Sequence, residues 1–215
     1  MNLTEARQEI LKAFCGDDDI RPWMNEPWTW DGKTGATNGH ILIVFSGEDE
    51  GVKKSELATI GVVFPKTLWK TPVQIHAADL RSMLAGLPLE DEVDHIDCDD
   101  CQGTGWETCG GPFPECGGFG ISAQPSGKKV LPLLTYVKIK DILFSARYIE
   151  KLLFAMDTIE ADSVSMVSGP KKGYGRDVLS CVPMFEIGDV QIIIMPVAEN
   201  SGMAASATLT PSRGE

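Results

Sequence analysis

The sequence predicts an α+β fold in which antiparallel sheets carry helices on one face. A helical segment followed by a meander of short strands occurs about three times along the chain. No G-x-G-x-x-G turn joins a strand to a helix, as a dinucleotide-binding parallel sheet would require. The 215 residues, of which 43% are hydrophobic, allow one large domain or two small ones.

Each helix is predicted from an apolar stripe and from its end signals. The first runs from Thr4, a plausible N-cap, to about Phe14. The second runs from about Ala77 to Leu87 and is ended by a proline. The third runs from about Ala146 to Thr158 with isoleucine, leucine and methionine facing inward. Each helix should therefore cover part of a sheet.

The strands are predicted from short apolar runs between turn residues. Asp31-Gly32 and Asn38-Gly39 are typical of hairpin turns. The strand-like runs are PWTWDGKTGATNGHILIVF, IGVVFP, PVQIH, EVDHIDC, KKVLPLLTYVKIKDILFS, SVSMVS, VLSCVPMFEIG and VQIIIMPV. Residues 1–94 and 122–200 should form the body of the protein. The small, polar residues 201–215 are predicted to form a flexible tail.

The formal charge of −12 argues against a protein that coats nucleic acid through bulk electrostatics. It leaves room for a local basic strip on an acidic body. The sequence shows neither a signal peptide nor an apolar run of membrane-spanning length, which leads us to expect a cytoplasmic protein without a membrane partner. Common catalytic motifs such as G-x-S-x-G, H-E-x-x-H and the phosphate-binding loop are absent, so we expect no enzymatic activity.

Four of the six cysteines lie within one glycine-rich stretch, between Cys98 and Gly120. Their spacing predicts a tetrahedral zinc site, because thiolates are zinc ligands and glycines let the backbone turn tightly around the metal. His95 is an alternative to one of the thiolates, and a pair of disulfides or a reduced loop is the alternative to a metal. Four protein ligands leave no open position, so the zinc would be structural. The predicted ligands are Cys98, Cys101, Cys109 and Cys116.

The same stretch resembles the cysteine-rich region of DnaJ-type chaperones. Cys101 and Cys116 each begin a C-x-G-x-G string, and Cys98 completes a C-x2-C-x-G-x-G knuckle. The second knuckle has six residues between its cysteines where that family has two. The HPD signature of the chaperone's J-domain is absent. The resemblance therefore implies a zinc-ribbon-like knuckle, inserted at residues 95–121, and no chaperone activity.

Several short strings resemble bacterial DNA sliding clamps. ATNGHIL, from Ala36 to Leu42, is similar to the clamp string ATDGHRL, and VQIIIMPV, from Val190 to Val197, is similar to its terminal YLIMPV. FSARYIEKLLFAMD, VQIHAADLRSMLAGLP and CVPMFEIGDVQIIIMPV also resemble strand–helix and hairpin units of the clamp. The resemblance implies a clamp-like α+β body with the zinc knuckle as an insertion.

A clamp encircles duplex DNA with helices whose lysines and arginines touch phosphates without reading bases. A clamp protomer has three domains, so a chain of this length would have to oligomerise to close a ring. By this resemblance, the candidate DNA contacts are the basic residues of the three predicted helices: Arg7, Lys12, Arg81, Arg147 and Lys151.

Two functions follow from these observations. The first is a non-enzymatic DNA-clamp-like accessory protein, encoded by a phage or mobile element, with duplex DNA and replication or phage proteins as partners. The second is a protein–protein interaction module that docks through the zinc knuckle, with the clamp-like body as a scaffold only. Steep salt dependence of DNA binding would favour the first function.

Overall fold

A computed structural model describes residues 3–17, 21–48, 52–54, 72–98, 101–102, 119, 121–167, 182–197 and 205–211. The chain forms two compact units, which are described separately. The first unit comprises Met1–Leu87 and Leu133–Glu215, and the second comprises Pro88–Pro132. None of the helices that the structure describes combines the length and the apolar character needed to cross a bilayer.

Three α-helices belong to the first unit: α1 (Leu3–Phe14), α2 (Ala77–Ala85) and α3 (Ala146–Thr158). They agree with the predicted helices to within two residues at each end. Helix α3 contacts both α1 and α2, so the helices lie side by side in the order α1, α3, α2. The amphipathic pattern locates each helix because its apolar stripe is the face that becomes buried.

An eight-stranded sheet forms most of the first unit, with strand order β4-β1-β2-β3-β12-β11-β10-β5. All its ladders are antiparallel except the one between β1 and β4. Its strands are β1 (Trp28–Trp30), β2 (Lys33–Thr37), β3 (Ile41–Ser46), β4 (Lys53–Lys54), β5 (Val73–His76), β10 (Ser163–Val167), β11 (Met184–Ile187) and β12 (Val190–Ile194).

A three-stranded sheet completes the first unit. It consists of β8 (Tyr136–Ile139), β9 (Ile142–Ser145) and β13 (Ala207–Leu209), in the order β13-β8-β9. Strand β13 runs parallel to β8, and Lys140 N donates a hydrogen bond to Leu209 O at 3.0 Å. The range predicted as a flexible tail, 201–215, thus contains a paired strand.

Side chains from both sheets and the helices form the core of the first unit. Phe14 of α1, Phe144 of β9 and Phe185 of β11 are completely buried. The rings of Phe144 and Phe185 meet edge to face with their centroids 5.8 Å apart. This arrangement confirms the predicted α+β class, with antiparallel sheets and three helices.

The second unit contains a two-stranded antiparallel ribbon, formed by β6 (Glu90–Asp97) and β7 (Ile121–Val130). Its register runs from Glu90 opposite Val130 to Asp97 opposite Ile121, and a bulge interrupts it between Asp91 and Val93. The second unit spans more residues than the predicted insertion at 95–121, because the ribbon continues on both sides of the cysteine-rich stretch.

Two hairpin turns confirm the predictions made from glycine dipeptides. Asp31 and Gly32 both have positive φ, of 50° and 70°, which is the backbone of the tight turn between β1 and β2. Gly39 has a φ of 89° in the turn between β2 and β3. There Asn38 Oδ1 accepts hydrogen bonds from the backbone N–H groups of His40 and Ile41, at 3.0 and 3.1 Å.

Several sequence predictions lie outside the described residues. They include the strand IGVVFP, the predicted zinc ligands Cys109 and Cys116, and most of the segment between β10 and β11.

Candidate metal ligands and nucleic-acid contacts

Cys98 and Cys101 begin the cysteine-rich stretch at the end of β6. Their side chains are only 1% and 7% exposed, and they are buried against each other. Gln102 follows in a turn with a φ of 50°, a left-handed backbone conformation. The structure therefore brings together the two thiols of the predicted C-x2-C pair.

The other two predicted zinc ligands, Cys109 and Cys116, lie outside the described residues. Within the described part of the chain, no group of three or more His, Cys, Asp or Glu side chains is arranged to hold a metal. Cys98 and Cys101, the two predicted ligands that the structure describes, are both buried.

Arg7 and Lys12 come from α1. The guanidinium of Arg7 donates a hydrogen bond to Ser46 O at 2.7 Å and lies 4.8 Å above the centre of the Phe45 ring. These contacts hold a half-buried Arg7 against strand β3. Lys12 is exposed in the last turn of the helix, where a positive charge is favourable to the helix dipole.

Arg81 connects α2 to α3 through an ion pair with Asp157. Both side chains remain about half exposed, at 54% and 45%. Since solvent reaches both groups, the pair contributes little to stability, and the guanidinium stays accessible to an outside anion. Asp157 is 76 residues from Arg81 in the chain, so local sequence patterns do not predict this ion pair.

Lys151 and Arg147 belong to α3. The ammonium of Lys151 donates a hydrogen bond to Ala13 O at 2.6 Å, near the C-terminal end of α1, where carbonyl groups lack helical partners. Burial lowers the pKa of Lys151, and the nearby Asp17 opposes that shift. Arg147 is half-buried in the first turn of the same helix.

Cys15 lies close to the Lys151 ammonium, at the end of α1. Its Sγ donates to Leu11 O at 3.4 Å, and burial raises the pKa of the thiol from 9.0 to about 11. The Lys151 charge reduces that rise without cancelling it. The thiol is therefore neutral at physiological pH.

The five basic candidates fall into two groups. Arg7 and Lys151 are tied to backbone carbonyls and Arg147 is half-buried, whereas Lys12 and Arg81 present their charges at the surface. Sequence reasoning identified basic residues on helices but could not separate these groups, because the carbonyl partners are brought close only by the fold.

Comparisons with known proteins found no matching family model and no matching curated protein. The chain is similar to the solved DNA polymerase sliding clamp of Pseudomonas aeruginosa at 13% identity and a TM-score of 0.49, covering 92% of this chain and 66% of that one. For the DNA polymerase III beta subunit of Thermotoga maritima, the identity is 14% and the TM-score 0.48, with 91% and 64% covered. For the beta sliding clamp of C. crescentus, the identity is 11% and the TM-score 0.48, and the match covers 91% of this chain and 63% of that one. The chain thus spans just under two thirds of the length of these structures.

Proposed function

We propose that this chain is a non-enzymatic, DNA-clamp-like accessory protein that binds duplex DNA together with replication proteins, and that a phage or mobile element encodes it. The proposal includes a structural zinc ion in the second unit. It also includes self-association, because one chain of this length cannot enclose a duplex.

The observation that carries the proposal is the pairing of the two clamp-like strings. Strand β3 includes the end of ATNGHIL, and β12 forms most of VQIIIMPV. The two strands pair antiparallel, from Ile41 opposite Ile194 to Phe45 opposite Val190. The ladder continues beyond the strands, where Met195 N donates to His40 O at 2.8 Å. The strings that resemble a clamp are therefore neighbours in one sheet, although about 150 residues separate them in the chain.

The layer of three helices supplies the DNA-binding part of the proposal. Each helix carries at least one basic candidate, and the exposed ones, Lys12 on α1 and Arg81 on α2, lie on the outer helices of the layer. Contact between such side chains and phosphate requires no base recognition, so binding should be independent of sequence. The strongly acidic remainder of the chain restricts DNA contact to this strip.

Titration of a labelled duplex of about 30 base pairs at several salt concentrations tests the proposal. We expect the logarithm of the binding constant to fall linearly with the logarithm of salt. The double variant Lys12→Gln, Arg81→Gln should reduce that slope by about 2, because each lost phosphate contact removes nearly one released counterion. Sedimentation velocity of the same samples measures the oligomeric mass.

The matched control is Lys140→Gln, which removes one exposed positive charge from the turn between β8 and β9 and should leave the slope unchanged. Absence of duplex binding at low salt in every oligomeric state would contradict the DNA proposal. That result would favour the second function, an interaction module that docks through the zinc knuckle.

The zinc proposal is supported by the buried contact between Cys98 and Cys101 and by the turn that follows them. The ligands would be these two thiolates together with Cys109 and Cys116, and a closed set of four would give the ion a structural role. Elemental analysis of the purified protein should find one zinc per chain. Cys98→Ser should lower that ratio, whereas Cys15→Ser, which alters a thiol in the other unit, should not. Wild-type protein that contains no stoichiometric metal would refute the site.

A further inference from the structure

The ribbon formed by β6 and β7 presents strand surface that no other described strand covers. The sheet that contains it has two strands, so each has an outer edge without a described strand partner. Both faces are open as well, since Val93, Asp94 and Asp97 on β6 are exposed, as are Ile121 and Gln124 on β7. An isolated two-stranded ribbon is marginally stable in water, and an additional strand is the usual way in which such an edge is satisfied.

The outer edge of β6 suits an added strand better than the outer edge of β7. Strand β6 runs for eight residues without proline or glycine. Strand β7 contains Pro125, which lacks a backbone N–H, and Gly127, whose φ of 78° interrupts the extended backbone. Because strand addition depends on a regular row of backbone donors and acceptors, β6 is the edge that can accept a partner.

The charges of β6 define the chemistry of that partner. Five of its eight residues are carboxylates: Glu90, Asp91, Glu92, Asp94 and Asp97. Two of them are compensated within the ribbon, since Lys129 pairs with Asp91 at 2.7 Å and Lys128 lies 3.9 Å from Glu92. Asp94 and Asp97, nearer the cysteines, have no ion pair among the described residues. The distal half of the edge is therefore acidic and uncompensated.

The exposed apolar residues of the ribbon determine a second property of the partner strand, in addition to its charge. Val93 and Ile121 are each 44% exposed, and the ladder places Val93 opposite Pro125 and Ile121 opposite Asp97. Since side chains alternate along a strand, Val93 and Asp97 share one face with their cross-strand partners Pro125 and Ile121. This face combines apolar surface with a carboxylate, and Asp94 places a second carboxylate on the opposite face. The edge therefore complements an extended strand that carries basic and apolar side chains on both of its faces.

We propose that the outer edge of β6 is a docking site for an extended, basic segment of a partner protein, which adds as a third strand to the ribbon. Backbone hydrogen bonds would supply the registration, and lysine or arginine side chains would neutralise Asp94 and Asp97. The partner is a protein and not nucleic acid, because the edge carries the same sign of charge as phosphate. The inference does not depend on DNA binding by the helices.

Fluorescence anisotropy with a labelled peptide that repeats Lys-Lys-Val-Val tests the proposal, because this sequence places both lysine and valine on each face of an extended strand. We expect saturable binding to the wild-type protein that weakens with added salt. The same peptide with alternate backbone nitrogens methylated should not bind, because it keeps its charges but cannot complete a ladder. A peptide with glutamate in place of lysine should not bind either.

The double variant Asp94→Asn, Asp97→Asn should bind the lysine peptide roughly tenfold more weakly, since two exposed charge pairs are lost. Its matched control is Asp141→Asn, Glu150→Gln, which removes two exposed carboxylates from the first unit and should bind as the wild type does. Circular dichroism and zinc content verify that the double variant keeps its ribbon, and its duplex-binding curve should be unchanged.

Equal binding of the methylated peptide, or unchanged binding by the Asp94 and Asp97 variant, would overturn the proposal. A second copy of this chain is the other possible occupant of the edge. In that case, the protein would self-associate more strongly when Asp94 and Asp97 are neutralised, and the lysine peptide would not bind. This outcome would equally overturn the proposal.

Discussion

The two units of the protein have different sources of stability. In the first, the eight-stranded sheet and the helices enclose a core in which Phe185, Ile149 and Leu152 are completely buried. In the second, a two-stranded ribbon has its described side chains largely exposed, apart from Cys98, Cys101 and Leu131. The first unit is stabilised by burial of apolar surface. The second buries little apolar surface among its described residues, and its ion pairs are exposed.

This contrast indicates that the first unit and the ribbon of the second unit do not depend on each other for stability. Unit 1 should remain folded without the ribbon, whereas an isolated ribbon of two strands lacks a core of its own. The proposed zinc ion and the proposed third strand are two means of supplying the missing stability. Substitutions in the two units should therefore act independently of each other.

Cys98→Ser should produce the largest effect, and it should affect only the second unit. Structural zinc contributes on the order of 10 kcal/mol to the folding of small metal domains, so loss of the proposed ion should unfold the ribbon. Amide hydrogen exchange should show loss of protection across β6 and β7, with protection of β3 and β12 retained. A ribbon that stays protected after this substitution would show that it does not depend on the metal.

Phe185→Ala should destabilise the first unit by about 3–5 kcal/mol, because it removes a fully buried ring that packs against Phe144. Chemical denaturation followed by near-ultraviolet circular dichroism measures the change. Phe119→Ala is the matched control, since this ring is 81% exposed and its loss should change stability by less than about 0.5 kcal/mol. Equal effects of the two substitutions would contradict the assignment of the core.

Cys15→Ala should alter the alkaline stability of the first unit. The raised pKa means that the folded protein keeps a proton that the unfolded chain releases between pH 9.0 and about 11. The free energy of unfolding should therefore fall over this interval by up to roughly 3 kcal/mol. The lowered pKa of Lys151 acts with the opposite sign, since there the unfolded chain holds more protons. Denaturation at pH 8 to 11 should show a smaller fall in the variant; parallel curves would contradict the prediction.

Lys129→Gln should produce the smallest effect, again in the second unit. The pair with Asp91 is 2.7 Å long, but its side chains are 57% and 62% exposed, so its loss should cost less than about 1 kcal/mol. Hydrogen exchange of the ribbon at low salt should detect the difference, and high salt should abolish it. Lys128→Gln, at a longer 3.9 Å, should have a still smaller effect. A large effect that persists in high salt would show that the pair is more than a surface ion pair.

Local patterns in the sequence predicted the helices and several hairpins well. The apolar stripe of α3 predicted Ala146 and Thr158 as its ends, and the structure has the same ends, because one face of this helix is buried along its length. Asp31-Gly32 predicted a tight turn because few other residues tolerate positive φ at both positions.

Other features could not be read from local patterns. Strand β7 contains Pro125, Ser126 and Gly127, which are typical of loops, and its residues on both sides of Ser126 and Gly127 pair with β6. Strand β13 has a small, polar sequence and forms because β8 offers an edge to it. Among the candidate site residues, Cys98 and Cys101 were predictable as a pair. The partners of Arg7 and Lys151 were not, since these are backbone carbonyls on distant segments.

The neighbouring position of β3 and β12 has a consequence for synthesis of the protein. Strand β3, buried at five of its six residues, leaves the ribosome roughly 10–30 seconds before its partner β12 at common translation rates. During that interval, an apolar strand has one edge without its final neighbour, which exposes the nascent chain to aggregation. Emergence of β12, rather than emergence of β3, is therefore the event that permits the central sheet to close.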